Sequence, residues 1–271
     1  MERISIASVR QTFRLEKAAR ARRIALLAVC GSAFCTGLLA HAVTMGTASG
    51  FAFISTAGAT STGATVINGD VGSMTSYVWG GAVVNGEIHA ISDADTIKAR
   101  DDARSAYNTI AALGLGTVLT GNLGGRTLTP GVYSFDSAAA SLTGKLTLDG
   151  LGQTNPEFIF KIGSTLTTAP YSTIYAINGA VDWNVYFQVG TSATLGTYTT
   201  FIGTILADQS ITLNTGATAL NGGLFALGAA VTLDSNTIGA VPEPAQSALL
   251  VAGLALIAIV RKRFKPGNVP G

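Results

Sequence analysis

The repeated stretch that decides the fold reads Ser61-Thr62-Gly63-Ala64-Thr65-Val66-Ile67-Asn68-Gly69-Asp70-Val71. It occurs again 153 residues later, without a gap, as Asn214-Thr215-Gly216-Ala217-Thr218-Ala219-Leu220-Asn221-Gly222-Gly223-Leu224. Its aliphatic-Asn-Gly-x-aliphatic core is also present at 84–88 and 177–181. A short unit that recurs in this way is typical of a solenoid, in which every copy forms one coil.

The spacing of the later copies indicates the length of a coil. Units that begin Ala193-Thr194-Leu195, Ile211-Thr212-Leu213 and Val231-Thr232-Leu233 follow one another at 18–20 residues. Apolar runs bounded by turn residues, at 144–150, 157–163 and 184–190, have the pattern of short strands. We therefore predict a mainly β solenoid whose coils stack in parallel about 4.8 Å apart. A β-sandwich with recurrent turns is the alternative.

One segment has helical rather than strand periodicity. A helix is predicted at about 92–113, opening at Ser92 with Asp95 three residues on and ending before Gly114. Its predicted apolar face consists of Ile97, Ala103, Tyr107, Ile110 and Ala111. An amphipathic helix of this kind should pack along a long, flat surface.

Threonine recurs at equivalent positions of the repeat. The self-alignment assigns a T-x-x-T pattern to three coils, with the members Thr62, Thr65, Thr197, Thr200, Thr215 and Thr218. A second row consists of Thr167, Thr194, Thr212 and Thr232, with Thr147 as a further candidate. Stacking turns such positions into rows of methyl and hydroxyl groups that can hold water in a repeating pattern. The rows predict binding to a crystalline surface, and spacing alone leaves ice, glycan and mineral open.

Both ends of the chain have the composition of processing signals. Residues 1–42 combine seven basic residues within 1–23, an apolar run at 24–40 and small residues at Ala40 and Ala42. This order predicts a secretory signal peptide cleaved after Ala42, with Ala48 or Ser49 as alternative sites. An uncleaved membrane anchor is the other interpretation.

Residues 241–271 contain Val241-Pro242-Glu243-Pro244, an apolar helix predicted at 245–260 and a basic cluster at 261–265. The order resembles the PEP-CTERM sorting signal of Gram-negative bacteria, which an exosortase-type enzyme recognises. A sixteen-residue helix is about 24 Å long, which is short for crossing a bilayer. An ordinary single-pass anchor is the alternative. Either tail predicts a secreted or cell-surface protein that is anchored in the membrane, at least transiently.

The folded body at 43–240 lacks the residues that catalysis usually needs. Both cysteines lie in the signal segment, so no disulfide or thiolate metal site is expected. The body contains 6 basic and 12 acidic residues, which disfavours nucleic acid as a partner. His89 is its only histidine, and its acids are scattered over predicted turns. We predict no enzyme activity, no catalytic or metal-binding residue and no cofactor.

The order of segments over residues 50–239 resembles the microbial ice-binding protein family. The stretches that carry this resemblance are 65–72, 84–90, 119–133, 158–168 and 194–207, among which Leu128-Thr129-Pro130-Gly131-Val132-Tyr133 is distinctive. The resemblance implies a discontinuous right-handed β-helix with one long α-helix packed along it. It also implies that the first coil stacks beside the C-terminal coils.

The same resemblance implies that the partner is an ice crystal surface, bound through a flat face with T-A/G-x-T/N motifs. By that comparison Thr62, Thr65, Thr215 and Thr218 are the first candidates. Tyr198 departs from the motif because a large ring replaces a small residue. A structural or adhesive protein of the extracellular matrix is the alternative function.

Overall fold

The computed structural model describes residues 43–135, 139–179 and 184–239. The predicted signal peptide and sorting tail lie outside these residues. Within the described ranges no helix is both long and apolar enough to cross a membrane. These residues form a 3-10 helix (Gly46–Gly50), one α-helix, α1 (Ala94–Ala112), and 23 strands, numbered below in chain order.

The strands form three parallel sheets, and each sheet makes one face of a solenoid. Face A runs β4 (Asp70–Ser73), β1 (Phe51–Ser55), β21 (Leu224–Ala226), β18 (Thr204–Ala207), β15 (Val185–Val189), β12 (Phe158–Ile162), β9 (Gly131–Phe135), β7 (Thr117–Val118). Face B runs β5 (Tyr77–Trp79), β2 (Ala59–Thr62), β22 (Val231–Asp234), β19 (Ile211–Leu213), β16 (Ala193–Leu195), β13 (Leu166–Thr168), β10 (Ala140–Leu142). Face C runs β6 (Val83–Asn85), β3 (Val66–Asn68), β23 (Thr237–Gly239), β20 (Thr218–Leu220), β17 (Thr200–Ile202), β14 (Thr173–Ile177), β11 (Lys145–Asp149), β8 (Thr127–Leu128). The predicted solenoid is therefore confirmed.

The coils do not stack in chain order. The first two coils, 51–68 and 70–88, lie at one end, and the chain resumes after α1 with β7 and β8 at the other end. The later coils return along the stack until β21, β22 and β23 pair with β1, β2 and β3. This closure confirms the expected contact between the first and the C-terminal coils.

Apolar side chains fill the interior because alternate strand residues point inward and one coil cannot bury them alone. Four rings from three successive coils lie against one another in the interior: Tyr133, Phe160 and Phe187 are stacked with centroids 5.5 and 4.5 Å apart, and Phe201, from the same coil as Phe187, is tilted against it at 4.8 Å. Stacked aromatic pairs add to the stability that comes from burial of their surface. They also keep neighbouring coils in register.

The helix α1 packs against the outside of face A. Its buried residues are Thr96, Ala99, Ala103, Ala106 and Ile110. They contact an apolar cluster contributed by the strands of face A, namely Ile54, Ile159, Tyr186, Leu206 and Phe225. Three alanines on this side let the helix axis approach the sheet closely. The prediction that the helix packs along a flat surface is confirmed, and face A is covered.

Two details of the predicted helix are wrong. The N-cap is Asp93, whose carboxylate accepts a hydrogen bond from the Thr96 amide, whereas Ser92 has φ of 56° and donates its hydroxyl to the Met74 carbonyl. The predicted apolar face is rotated, because Ile97 and Ala111 are exposed. Thr96 and Ala99, which are small, are buried there because the helix packs against bulky strand residues.

Candidate functional site

Face B presents an unbroken row of threonines to solvent. In register along the stack, the outward residues are Ser141, Thr167, Thr194, Thr212, Thr232, Thr60 and Val78. Their inward neighbours on these strands are largely buried, while the row itself is exposed or half-buried. We call these seven positions the threonine row. All four members of the predicted second row therefore lie together, in one line.

A second line of small side chains runs beside the threonine row, two residues earlier in each coil. Backbone hydrogen bonds between adjacent coils align its members, which are Ala139, Thr165, Ser192, Ser210, Ala230, Gly58 and Ser76. The hydroxyls of Ser192 and Ser210 are 3.0 Å apart and hydrogen-bonded. These seven positions, the small-residue row, contain no side chain larger than threonine and no charge. The two rows of face B therefore carry no charged side chain.

Strand pairing on face B is also regular. None of its ladders shows a register shift, whereas the β1–β4 pair of face A is irregular between Phe51 and Phe53. Parallel strands lie about 4.8 Å apart, and residues two apart on a strand are separated by about 6.6 Å. The threonine row is thus regularly spaced along the stack, and the small-residue row runs beside it.

Face C carries larger and charged side chains. One of its rows contains Lys145, Thr173, Thr200, Thr218, Thr237, Val66 and Val83 in register. The neighbouring row includes Tyr175, which is 50% exposed and lies beneath the Lys145 ammonium at 4.3 Å from the ring centroid. Thr147 pairs with Tyr175 in that row. A tyrosine and a lysine therefore project from face C at one end.

The six residues of the predicted T-x-x-T pattern do not share a face. Thr200 and Thr218 are neighbours on face C, while Thr62, Thr197 and Thr215 lie at the corner between faces B and C. The expectation that Thr65 faces solvent is wrong, because its side chain is fully buried and its hydroxyl accepts the Asn236 amide at 3.2 Å.

The error is a shift of one residue in the self-alignment. Through Thr237, the structure pairs Thr218 with Val66 rather than with Thr65. Likewise, Thr62 pairs with Asp234 rather than with another threonine. A shift of one residue moves a strand side chain to the opposite side of the sheet.

The corner between faces B and C carries its own polar network. The Thr215 hydroxyl donates to the Asp234 carboxylate, and this hydrogen bond, together with others from Ser235 and Thr62, holds the pKa of Asp234 below its usual range. Tyr198 is 52% exposed and stacks on Tyr171 at 5.4 Å. Tyr198 thus projects from the corner, and the threonine row does not include it.

Three members of the threonine row were not predicted from the sequence: Val78 and the two hydroxyl-bearing residues Thr60 and Ser141. Thr60 follows Ala59 as Thr194 follows Ala193, so the Ala-Thr pair was an available signal. Ser141 lies between Ala140 and Leu142 in the same alternation. Aligning the two longer Thr-Gly-Ala-Thr copies instead leaves both residues out of the predicted row.

His89 joins the first coils to the helix. Its ring is buried, stacks on Phe51 with centroids 4.8 Å apart, and has Nδ1 3.0 Å from the Asp93 carboxylate. Asp93 is also the N-cap of α1. Among the described residues, no group of three His, Cys, Asp or Glu side chains is placed to hold a metal ion.

Fold and surface together define a class of protein: a β-solenoid with one face covered by a helix and another carrying an ordered lattice of threonine. The chain belongs to the Ice-binding-like family, whose model matches residues 53–239.

Relatives and solved structures of this family are similar over most of the body. An ice-binding protein from Nostoc sp. (strain HG1) is 46% identical over 263 residues, which cover 90% of this chain and 96% of that protein. An ice-binding protein from Colwellia sp. is 31% identical over 84% of this chain and 97% of its own length. The crystal structure of an ice-binding protein from Antarctomyces psychrotrophicus has a TM-score of 0.69 and 41% identity, covering 73% of this chain and 98% of that one.

Proposed function

We propose that this protein binds ice through face B. The observation that carries the proposal is the threonine row, in which five consecutive threonines lie in register beside a row of small residues. Bound in this way, the protein inhibits ice growth or recrystallisation. The family membership and the ice-binding relatives support this proposal.

The chemistry of the rows suits a solid surface of water. Five threonines span about 19 Å along the stack, and each offers one methyl and one hydroxyl at a regular interval. Hydroxyls can hold water in a repeating arrangement, and methyl groups leave liquid water when the face meets ice. Because β-branched threonines on paired strands have few rotamers to lose, the entropic cost of ordering them on binding is small.

The proposed ice-binding residues are Thr60, Thr167, Thr194, Thr212 and Thr232, with Ser141 at the end of the row. They replace Thr62, Thr65, Thr215 and Thr218 as the first candidates. Thr200 and Thr218, which lie on face C, form the competing candidate. Face C is less suitable because Tyr175 and Lys145 project from it.

One matched pair of variants separates the two faces. Thr212→Tyr places a ring at the middle of the threonine row, and Thr200→Tyr makes the same change in the row on face C. A ring at Thr212 would hold ice away from Thr194 and Thr232 as well. Loss of three methyl contacts should weaken the free energy of ice binding by about 2.4 kcal/mol, which is roughly fiftyfold in affinity.

The measurements are thermal hysteresis and partitioning into a growing ice hemisphere, with circular dichroism as a check of folding. We expect Thr212→Tyr to lose both activities and Thr200→Tyr to retain them. The reverse pattern would assign ice binding to face C. If the wild-type protein stays out of the ice, the proposal fails, and the structural or adhesive alternative takes its place.

We also propose that the protein is exported by residues 1–42 and sorted to the cell surface by residues 241–271, and that it catalyses no reaction. The support for export is the order of basic, apolar and Pro-Glu-Pro segments in the sequence. The exosortase-type partner and the transient membrane anchor depend on the tail. Deletion of 241–271 should release the protein from the cell envelope into the medium, and unchanged retention would contradict this.

A further inference from the structure

The described part of the chain is held in place from its first residue. Val43 and Met45 are 7% and 9% exposed, and Ala48 is fully buried. All three belong to the apolar cluster between α1 and face A. Thr47 is bound through both its amide and its hydroxyl to the Asp102 carboxylate of α1, at 2.8 and 2.7 Å. Residues 43–50 are therefore part of the folded body.

A carboxylate lies at the first of these residues. The Val43 nitrogen donates to Glu157 Oε1 at 3.0 Å, and the Tyr186 hydroxyl donates to the Val43 carbonyl at 3.4 Å. A carboxylate is a stronger partner for an ammonium group than for a peptide amide, because the hydrogen bond is then charged on both sides. The surroundings of this nitrogen suit a positive charge.

We propose that a peptidase hydrolyses the Ala42–Val43 bond and that the new α-ammonium group of Val43 forms an ion pair with Glu157. Water supplies the oxygen of the new Ala42 carboxylate, and the released Val43 amine takes up a proton. The ion pair then holds residues 43–50 between α1 and face A. Cleavage thus converts the neutral hydrogen bond of the intact chain into one that is charged on both sides.

The same contacts disfavour cleavage after Ala48 or Ser49. Either cut would remove Val43, Met45 and Ala48 from the apolar cluster and would remove Thr47 from Asp102. The surface of α1 beneath them would then be exposed to water. Cleavage before Val43 retains every one of these contacts.

The pH dependence of this ion pair should be distinctive. Titratable groups that contact the segment include Glu157, Tyr186 and Asp102, and Lys98 forms an ion pair with Asp102. Burial raises the pKa of Tyr186 to about 12, and hydrogen bonds from Lys98 and Thr47 lower that of Asp102 to about 2. A free α-amine titrates near pH 7.7–8.0, and a neighbouring carboxylate favours its charged form. The stabilisation is thus present at pH 7 and is lost as the pH rises towards 10.

The test uses the full chain, expressed in a Gram-negative host and recovered after export. N-terminal sequencing and intact mass should show that the recovered protein begins at Val43. A mature chain that begins at any other residue overturns the proposal.

Glu157→Gln tests the ion pair, with Glu87→Gln as the matched control on an exposed part of coil 70–88. At pH 7 we expect Glu157→Gln to raise the acylation rate of the α-amine about three- to tenfold, because the neutral fraction increases. It should also lower Tm by about 2–4 °C at pH 7, with the difference vanishing near pH 10.

Glu87→Gln should match the wild type in both measurements. A Tm loss for Glu157→Gln that persists unchanged to pH 10, or equal acylation rates in the two variants, refutes the ion pair. If the Glu157 variant does not fold, the wild-type protein still tests the ion pair, because its Tm should fall between pH 7 and pH 10 and its α-amine should be acylated slowly at pH 7. Neither readout involves ice, so the result is independent of the proposed function.

Discussion

Ser141 continues the threonine row with a hydroxyl but without a methyl group, so Ser141→Thr should lengthen the row by one threonine. Ser141 pairs with Thr167 and is exposed. The added methyl group is removed from liquid water when face B binds ice. This should strengthen the free energy of binding by about 0.8 kcal/mol, which is roughly fourfold in affinity. Stability should not fall, because a strand accommodates a β-branched residue well.

Thr212→Ser is the reverse change at the centre of the row. It removes one methyl group between Thr194 and Thr232 and keeps the hydroxyl. By the same value per methyl group, affinity for ice should fall about fourfold. A central position could lose more than the end gains, because its removal interrupts contacts on both sides.

The assay is a titration of recrystallisation inhibition, in which the concentration that halves crystal growth is compared across variants. Ser105→Thr, on the exposed side of α1, is the control for the same chemical change away from face B. Ice binding through the threonine row is contradicted if Ser141→Thr and Thr212→Ser both match the wild type. It is also refuted if Ser105→Thr improves activity as much as Ser141→Thr does.

Three further predictions concern stability. Hydrogen bonds from Lys98 and Thr47 lower the pKa of Asp102 to about 2. The carboxylate therefore stabilises the folded state above about pH 4, and this stabilisation is lost as the pH falls towards 2. In a thermal melt, Asp102→Asn should lower Tm by about 2–4 °C at pH 6 but not at pH 2. Ser61→Ala should leave stability unchanged or raise it by about 1 kcal/mol in urea unfolding, because among the described residues its buried hydroxyl has no hydrogen-bond partner, and a clear loss would contradict this. Gly222→Ala should cost about 2 kcal/mol or more in the same urea experiment, because a Cβ there would lie 2.2 Å from the Gly203 backbone of the adjacent coil.

The local pattern of apolar and turn residues was sufficient to predict the strands and the helix. The alternating runs at 144–150, 157–163 and 184–190 became β11, β12 and β15 with their ends moved by one residue. The helix was found at nearly its full length. These features depend on contacts within a coil or a turn, and the order of residues specifies them directly.

The contact between the first and last coils could not be worked out from periodicity. It depends on α1 returning the chain to the far end of the stack, and only resemblance to a family implied it. The helix face was also misjudged. Its alanines are buried because Ile54, Tyr186 and Phe225 lie opposite them. The helix sequence alone does not show which strand residues it will pack against.

By itself, the sequence determined that this protein is a parallel β-solenoid with one helix and repeated threonines, because apolar alternation and turn residues act over a few positions. The sequence also predicted the row of Thr167, Thr194, Thr212 and Thr232, but only the tertiary structure decided that the six residues of the T-x-x-T pattern do not share a face. Inter-coil hydrogen bonds set the register, and a shift of one residue places Val66, not the buried Thr65, in the row of Thr218 and Thr237. Sequence identity favoured the Thr-Gly-Ala-Thr copies, but backbone pairing and burial of the inward side chains select the alignment that the chain adopts.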